Sequence, residues 1–180
     1  LVGSEMCIRD SFDPQAAAGQ QWEIVNGFGG QKRQGGTSFV IDDKAYICCG
    51  VNNGSYVYDF WCFDPSTGVF TQLRDIADTS DDDYDDDYTS IVRANAVSFV
   101  IDGKGYLVTG EYGSLLSNYW IYDPATDLWE GEDLTAFEGS VRKNAVAFST
   151  GTRGFVVTGQ ASSSYYDDTW ELSPYEYEEE

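Results

Sequence analysis

Three groups of side chains in this sequence could do chemistry. The densest is DDDYDDDY (Asp81 to Tyr88), where Asp81, Asp82, Asp83, Asp85, Asp86 and Asp87 place six carboxylates in eight residues. Calcium takes roughly six to eight oxygen ligands in flexible geometry, so the run could hold one ion. It lacks the glycine and the spacing of an EF-hand loop, and its crowded charges read instead as a solvated, mobile acidic loop. The second group is Arg33, Arg93 and Arg142, each six residues before a Phe (Phe39, Phe99, Phe148) and 17 before a Gly (Gly50, Gly110, Gly159). A guanidinium fork grips carboxylates, so three equivalent forks could hold an anionic ligand or an acidic peptide. They could equally tie a repeating framework together, because periodic residues usually serve the repeat. The third group is Cys48, Cys49 and Cys62, which stand where the next repeat has Val108, Thr109 and Ile121. With no Cys-x-x-Cys and no recurrence they read as packed thiols, one Cys49–Cys62 bridge remaining open if the compartment oxidises.

What is absent narrows the chemistry further. The chain has no His, which removes the usual general base, the common imidazole ligand and every Ser-His or Cys-His nucleophile pair. No residue pattern calls for a cofactor. The 31 acidic residues against 10 basic ones give a formal charge of −21, which repels nucleic acid and gains nothing from an anionic membrane surface. No apolar run approaches the roughly 18 residues of a membrane-spanning helix, so no membrane insertion is expected.

The elements that position these groups are repeats. Arg33-QGGTSFVIDDKAYICC-Gly50, Arg93-ANAVSFVIDGKGYLVT-Gly110 and Arg142-KNAVAFSTGTRGFVVT-Gly159 align without a gap, at periods of 60 and then 49 residues. Each is followed by a Trp in DFWCFDP, NYWIYDP or DTWELSP. Periods near 50 belong to propeller blades. The second unit reads as four short strands: Ala96 to Ile101, Gly105 to Thr109, Asn118 to Tyr122 and Leu128 to Glu130. Asp102-Gly103 supplies the tight hairpin turn, and Asp-Pro sets the turn before the fourth strand. No stretch carries a 3.6-residue period, so the chain is expected to be all β. The 16% of aromatic residues and 42% of apolar ones are enough to pack it. Trp61, Trp120 and Trp170, with Trp22, Phe70 and Trp129, recur at strand positions and read as the packed layer between units rather than as sugar platforms.

These motifs resemble the Kelch family of β-propellers, particularly the secreted or surface-attached bacterial kind with R-x-x-A-V-x-F, K-G-Y-x-x-T-G and W-x-Y-D-P-x-T-x-x-W in each blade. The likeness runs from Phe12 to Pro174. It departs at the diglycine that often ends the second Kelch strand, here Cys49-Gly50, Thr109-Gly110 and Thr158-Gly159. The resemblance implies a Kelch-type propeller fragment of four-stranded antiparallel blades forming an open arc. Its expected parts are a partial blade at 12–26, blades at 33–73 and 93–132, a three-strand terminal blade at 142–174, and an acidic tail at 175–180. Residues 1–11, LVGSEMCIRD and Ser11, resemble a translated sequencing adapter and are expected not to be native. The chain is then expected to be a fragment from environmental DNA lacking its front blades, with any export signal lost, and extracellular, cell-surface or periplasmic in location.

Because strands alternate in direction, the loops 51–58, 111–117 and 160–167 are expected on one face with the arginines and the insertion 74–92. That face, with Arg33, Arg93, Arg142, Asn52, Asn53, Tyr56, Glu111, Tyr112, Gln160 and Tyr165, is the candidate ligand site. The expected function is a non-catalytic binding module for a glycan, peptide or protein, working with the missing blades of its own chain. Two enzymes follow from the resemblance. Copper oxidases of the galactose oxidase kind need His ligands, which this chain lacks. A sialic acid mutarotase-like activity is the alternative, with the arginines meeting an anionic sugar and some catalytic residues in the missing blades.

Overall fold

The computed structural model describes residues 10–24, 27–131 and 136–173. Among these there are strands and turns and no helix, so no helix is long and apolar enough to cross a membrane. The first element is a hairpin of β1 (Asp10–Phe12) and β2 (Trp22–Ile24), with Phe12 opposite Trp22. Asp10 and Ser11 belong to its ladder, so pairing begins two residues before the boundary expected at Phe12. Residues 1–9, the tail 175–180, and the outer ends of the expected units at 25–26, 132 and 174 lie outside the described residues.

The first full blade is a sheet of β3 (Thr37–Ile41), β4 (Lys44–Cys48), β7 (Trp61–Asp64) and β8 (Val69–Gln72), hydrogen-bonded in that order. Between β4 and β7 the chain makes a ribbon of β5 (Val51–Asn52) and β6 (Ser55–Tyr56). The second blade repeats this with β9 (Val97–Ile101), β10 (Lys104–Val108), β13 (Trp120–Asp123) and β14 (Leu128–Glu130), and with a ribbon of β11 (Glu111–Tyr112) and β12 (Ser114–Leu115). The third sheet has β15 (Val146–Ser149), β16 (Gly154–Val157) and β19 (Thr169–Leu172), and its ribbon is β17 (Gln160–Ala161) with β18 (Ser164–Tyr165). All pairings within the sheets are antiparallel, and no closed ring forms among the described residues.

The turns follow the local chemistry. Asp102 and Gly103 take φ of 48° and 75°, positive at both central positions as a type I′ turn demands, and Asp42-Asp43 does the same at 49° and 61°. The Asp-Pro turns are Asx turns. Asp64 accepts from the Ser66 amide at 2.8 Å and Asp123 from the Ala125 amide at 2.9 Å, while Gly68 and Asp127 close the loops at positive φ.

Blades meet through a repeated aromatic pair. Phe39 stacks on Tyr46 at 5.3 Å, Phe99 on Tyr106 at 5.6 Å and Phe148 on Phe155 at 5.1 Å, each pair spanning the first hairpin of its blade. Each of the first two pairs is covered by the next blade. Phe39 and Tyr46 share a cluster with Phe60, Tyr122 and Trp129, and Phe99 and Tyr106 share one with Tyr119, Val156 and Trp170. The glycine of the K-G-Y motif makes the contact possible. A Cβ on Gly105 would enter the Phe39 ring, and one on Gly154 would enter Phe99. Where Trp129 fills the first junction, the second holds a cavity of about 450 Å3 lined by the equivalent Phe99, Tyr119 and Leu172. Phe148, with no blade upon it among the described residues, is half exposed.

Close to the axis the backbones bond directly. Asn95 donates to Gly35 at 2.8 Å and Asn144 to Asn95 at 3.0 Å, while Gly50 donates to Arg93 at 2.8 Å and Gly110 to Arg142 at 2.9 Å. The expected packing of the tryptophans holds where blades adjoin: Trp120 and Trp129 are buried, and only Trp22 on the first hairpin is largely exposed. Replacing Gly105 by Ala is expected to lower stability by about 1–3 kcal/mol, because the Phe39 ring must leave its place. Urea denaturation of the two proteins measures this.

Candidate functional site

The three arginines make one contact set, repeated. The Nε of Arg33, Arg93 and Arg142 donates to the carbonyl two residues earlier, on Gln31 (3.1 Å), Ile91 (3.2 Å) and Ser140 (2.9 Å). One terminal nitrogen donates to the carbonyl sixteen residues later, on Cys49 (3.3 Å), Thr109 (2.9 Å) and Thr158 (2.8 Å). Those three acceptor residues have φ of 64°, 63° and 60°, left-handed backbone that costs side-chain-bearing residues about 1–3 kcal/mol each. They occupy the first position of the Kelch diglycine. The sequence departure noted there is therefore a real strain, and the guanidinium holds the strained corner in place.

The remaining nitrogens reach the residues just before the third strand. Arg33 pairs with the Asp59 carboxylate, and Arg142 meets both oxygens of Asp168 at 2.5 and 2.9 Å. The same carboxylates accept the indole N–H of the blade tryptophan, Asp59 from Trp61 at 2.9 Å and Asp168 from Trp170 at 2.7 Å. In the middle blade Asn118 replaces the aspartate, accepting from Arg93 at 3.1 Å, with Ser90 supplying a second acceptor. Arg93 is wholly buried without a carboxylate, and burial pulls its pKa down to about 10, still charged at neutral pH. Arg93 and Arg142 are fully buried and the Arg33 side chain is 8% exposed. With their donors committed to nearby carbonyls and side chains, Arg93 and Arg142 build the face from beneath, while Arg33 also lines a groove with Gly36, Thr37 and Ile47. The signal was present in sequence: Asp59 and Asp168 each lie 26 residues after their arginine, and Asn118 lies 25 after.

Immediately after each strained corner the chain enters its ribbon, tied back to the residue following the arginine. Gln34 pairs with Val51, Ala94 with Glu111 and Lys143 with Gln160. The clamp thus fixes where the variable ribbons leave the blade. The loops that vary between units are ordered hairpins, the first turning at Asn53-Gly54 with φ of 49° and 86°. Asn53 is exposed, and Asn52 donates to Gln31 at 3.4 Å.

Neighbouring ribbons meet through tyrosines. The Tyr56 and Tyr112 rings lie 4.6 Å apart at 51°, and the Tyr56 hydroxyl accepts from the Gly113 amide at 2.9 Å. They line a cleft of about 360 Å3 with Tyr58, Tyr88 and Thr89. Tyr112 is half exposed and Tyr58 is open to solvent. Tyr165, on β18, is exposed but is not among the residues lining the cleft. Glu111 faces Lys143 at 2.8 Å and Asn95 at 2.9 Å, and the lysine hydrogen bond holds its carboxyl below the usual range. The candidate residues therefore divide: Tyr56 and Tyr112 converge, Glu111 and Gln160 join ribbons to neighbouring segments, and the arginines lie beneath.

The acidic insertion differs from the mobile loop expected. Ile76, Asp85, Tyr88 and Ile91 are buried, Tyr88 packs edge-on to Trp120 at 5.9 Å, and its hydroxyl accepts from the Trp129 amide at 2.9 Å. Asp85 is the anchor. Burial raises its carboxyl, but donors from the Thr79 amide (3.0 Å), the Ser80 amide (3.0 Å) and the Ser80 hydroxyl (2.8 Å) outweigh this and leave it below the usual range. Asp81, Asp82, Asp83, Asp86 and Asp87 remain exposed, and oxygens of Asp78, Asp85 and Asp86 lie within 4.8 Å of one another. The charge run is thus a rim on a packed loop, because the apolar residues among the carboxylates find the groove between blades.

Cys48 and Cys49 are buried and Cys62 is half-buried, all as free thiols. Burial raises the Cys62 thiol, and the hydrogen bond to Cys49 raises Cys48. A Cys49–Cys62 bridge is ruled out by register: Cys62 stands opposite Tyr46, three residues or about 10 Å along the strand from Cys49, beyond disulfide reach.

Residues 32–75 match the Kelch motif. That segment is the first full blade, and the two units after it repeat its Arg-to-Gly interval and its Trp. The fold is that of a Kelch-type propeller. It is similar to that of the solved structure titled "Structure of YjhT", with a TM-score of 0.66 at 18% identity over 84% of this chain. The chain spans about half of that structure, 52% of its length. No curated protein sequence matches it.

Two outcomes follow. The Asp168 carboxyl is lowered to about 2, chiefly by the Arg142 hydrogen bond, so the stability it contributes is complete above the ordinary value near 3.8 and is lost as pH falls towards 2. Asp168→Asn is expected to flatten the acid limb of unfolding midpoint against pH in that window. Asp85→Ala is expected to lower the melting temperature by several degrees, whereas Asp82→Ala on the exposed rim leaves it within about 1 °C. Thermal scans of the two variants separate an anchored loop from a mobile one.

Proposed function

We propose that this chain is a non-catalytic recognition module that binds a partner through the ribbon-bearing face, outside the cytoplasm. The observation that carries the reading is the meeting of Tyr56 and Tyr112, from adjacent blades, in an open cleft of about 360 Å3. Tyrosine offers broad contact area at low entropic cost and a hydroxyl for bonding. The arginine clamp and first hairpin recur in every blade, whereas the ribbon sequences VNNGSYVY, EYGSLLS and QASSSYYD differ, which is where a repeat protein places recognition.

The titratable groups of the face favour binding over catalysis. Glu111 and Lys143 neutralise each other, and the arginines that would serve a mutarotase-like site are occupied within their blades. A partner selected from glycan and protein arrays is expected to lose roughly tenfold or more in affinity on combined Tyr56→Ala and Tyr112→Ala, with Tyr165→Ala contributing less. Turnover of a sugar by the protein, lost on substitution of Glu111 or Lys143 in a folded variant, would replace this reading with an enzymatic one.

A further inference from the structure

The walls of the tyrosine cleft and its surroundings both invite a ligand of one sign, a cation. Tyr56 and Tyr58 come from the first blade, Tyr112 from the second, and Tyr88 from the insertion that crosses between them. The faces of such rings attract cations through their quadrupoles. Two wall residues are direct chain neighbours of exposed carboxylates, Ala77 beside Asp78 and Tyr88 beside Asp87, and the insertion holds Asp81, Asp82, Asp83 and Asp86 as well.

The insertion carries eight aspartates against one basic residue, Arg74, and the other basic groups nearby are held by their own partners. Arg74 lies over the Tyr84 ring at 4.6 Å and donates to the Thr126 carbonyl, Arg93 is buried in its clamp, and Lys143 is held by Glu111. The Asp86 carboxyl is pushed up by loss of surrounding solvent and then by the charges of Asp83, Asp78, Asp85 and Asp87. A neutral sugar would use the rings and ignore this field, and an acidic one would be repelled by it.

Resting on the binding reading above, we propose that the partner of this face is a basic peptide segment, which seats a lysine or arginine side chain against Tyr56, Tyr58 and Tyr112 and sets its further positive charges along the aspartate rim. The clamp makes the cleft rigid, since both ribbons leave fixed corners and the Tyr56 hydroxyl is bonded to the Gly113 amide. The aspartates bring the peptide in and set its salt dependence, while the rings select the seated cation.

The test uses the whole 180-residue chain and fluorescence anisotropy of a labelled peptide alternating Arg and Ser, beside its Glu-for-Arg counterpart and a neutral oligosaccharide. The Arg peptide alone is expected to bind, more weakly as salt rises. Tyr112→Ala is expected to weaken it about tenfold, and Tyr112→Phe to keep the affinity because the ring face is retained. Joint conversion of Asp82, Asp83, Asp86 and Asp87 to Asn is expected to weaken binding and flatten the salt dependence. All four are exposed, as is Tyr112, and circular dichroism checks that each variant folds. Peptide binding indifferent to Tyr112→Ala, or no peptide binding, overturns the proposal. If the oligosaccharide binds instead and is lost in Tyr112→Ala, the basic partner falls while the recognition face stands. If no probe and no array partner responds to loss of the tyrosines, both fall.

Discussion

The structure depends on a buried arginine reaching three places at once. From the entry of each innermost strand it holds the carbonyl two residues behind, the carbonyl of a left-handed corner sixteen residues ahead, and an Asp or Asn just before the third strand. Breaking such a buried charge from its partners typically costs about 3–5 kcal/mol, enough to outweigh the strain of one non-glycine corner. That balance explains how Cys49, Thr109 and Thr158 occupy a position that Kelch repeats often give to glycine. A guanidinium suits the task because its fork is planar and keeps its charge when buried, whereas a buried lysine readily gives up its proton.

From the clamp the functional surface follows in short steps. The corner launches the ribbon, the bridge to the residue after the arginine fixes its angle, and the turn of the first ribbon presents Tyr56 to the neighbouring blade. The stacked Phe-Tyr pairs and the glycines that receive them set the spacing between blades. The distance between Tyr56 and Tyr112 is thus a consequence of core packing. Rigid placement matters for recognition, since a preformed cleft has less conformational freedom to lose when a partner arrives.

Charge acts on a longer scale. A formal −21 on a chain of 180 residues disfavours anionic partners everywhere, but the insertion concentrates the effect at one place. Its apolar residues Ile76, Tyr88 and Ile91 go inward to the groove between the first two blades, and the carboxylates other than Asp75 and Asp85 are left at the solvent side. One segment therefore seals a blade junction and colours the adjoining cleft.

The sequence by itself determined the all-β class and the strands of the main sheets, though not the ribbons, because those rest on local signals: alternation, an Asp-Gly turn, Asp-Pro turns and an Arg-to-Gly interval that repeats. Strand limits in the second blade fall within two residues of those expected, since turn chemistry acts over three or four residues. The Asn53-Gly54 ribbon turn was legible in the same way but lay hidden inside a segment read as variable loop. What only the tertiary structure decided are the matters in which a side chain could satisfy itself in two places. A guanidinium fork serves an external anion or an internal Asp59 equally well, and burial chose the internal partner. A run of aspartates looks solvated until Asp85 meets the amides of Thr79 and Ser80 and Tyr88 enters the core. Tyr56 and Tyr112 are 56 residues apart in the chain, and no local rule brings them together. Their meeting is set by how blades stack, which is a sum of contacts distributed over both units and written in no single segment.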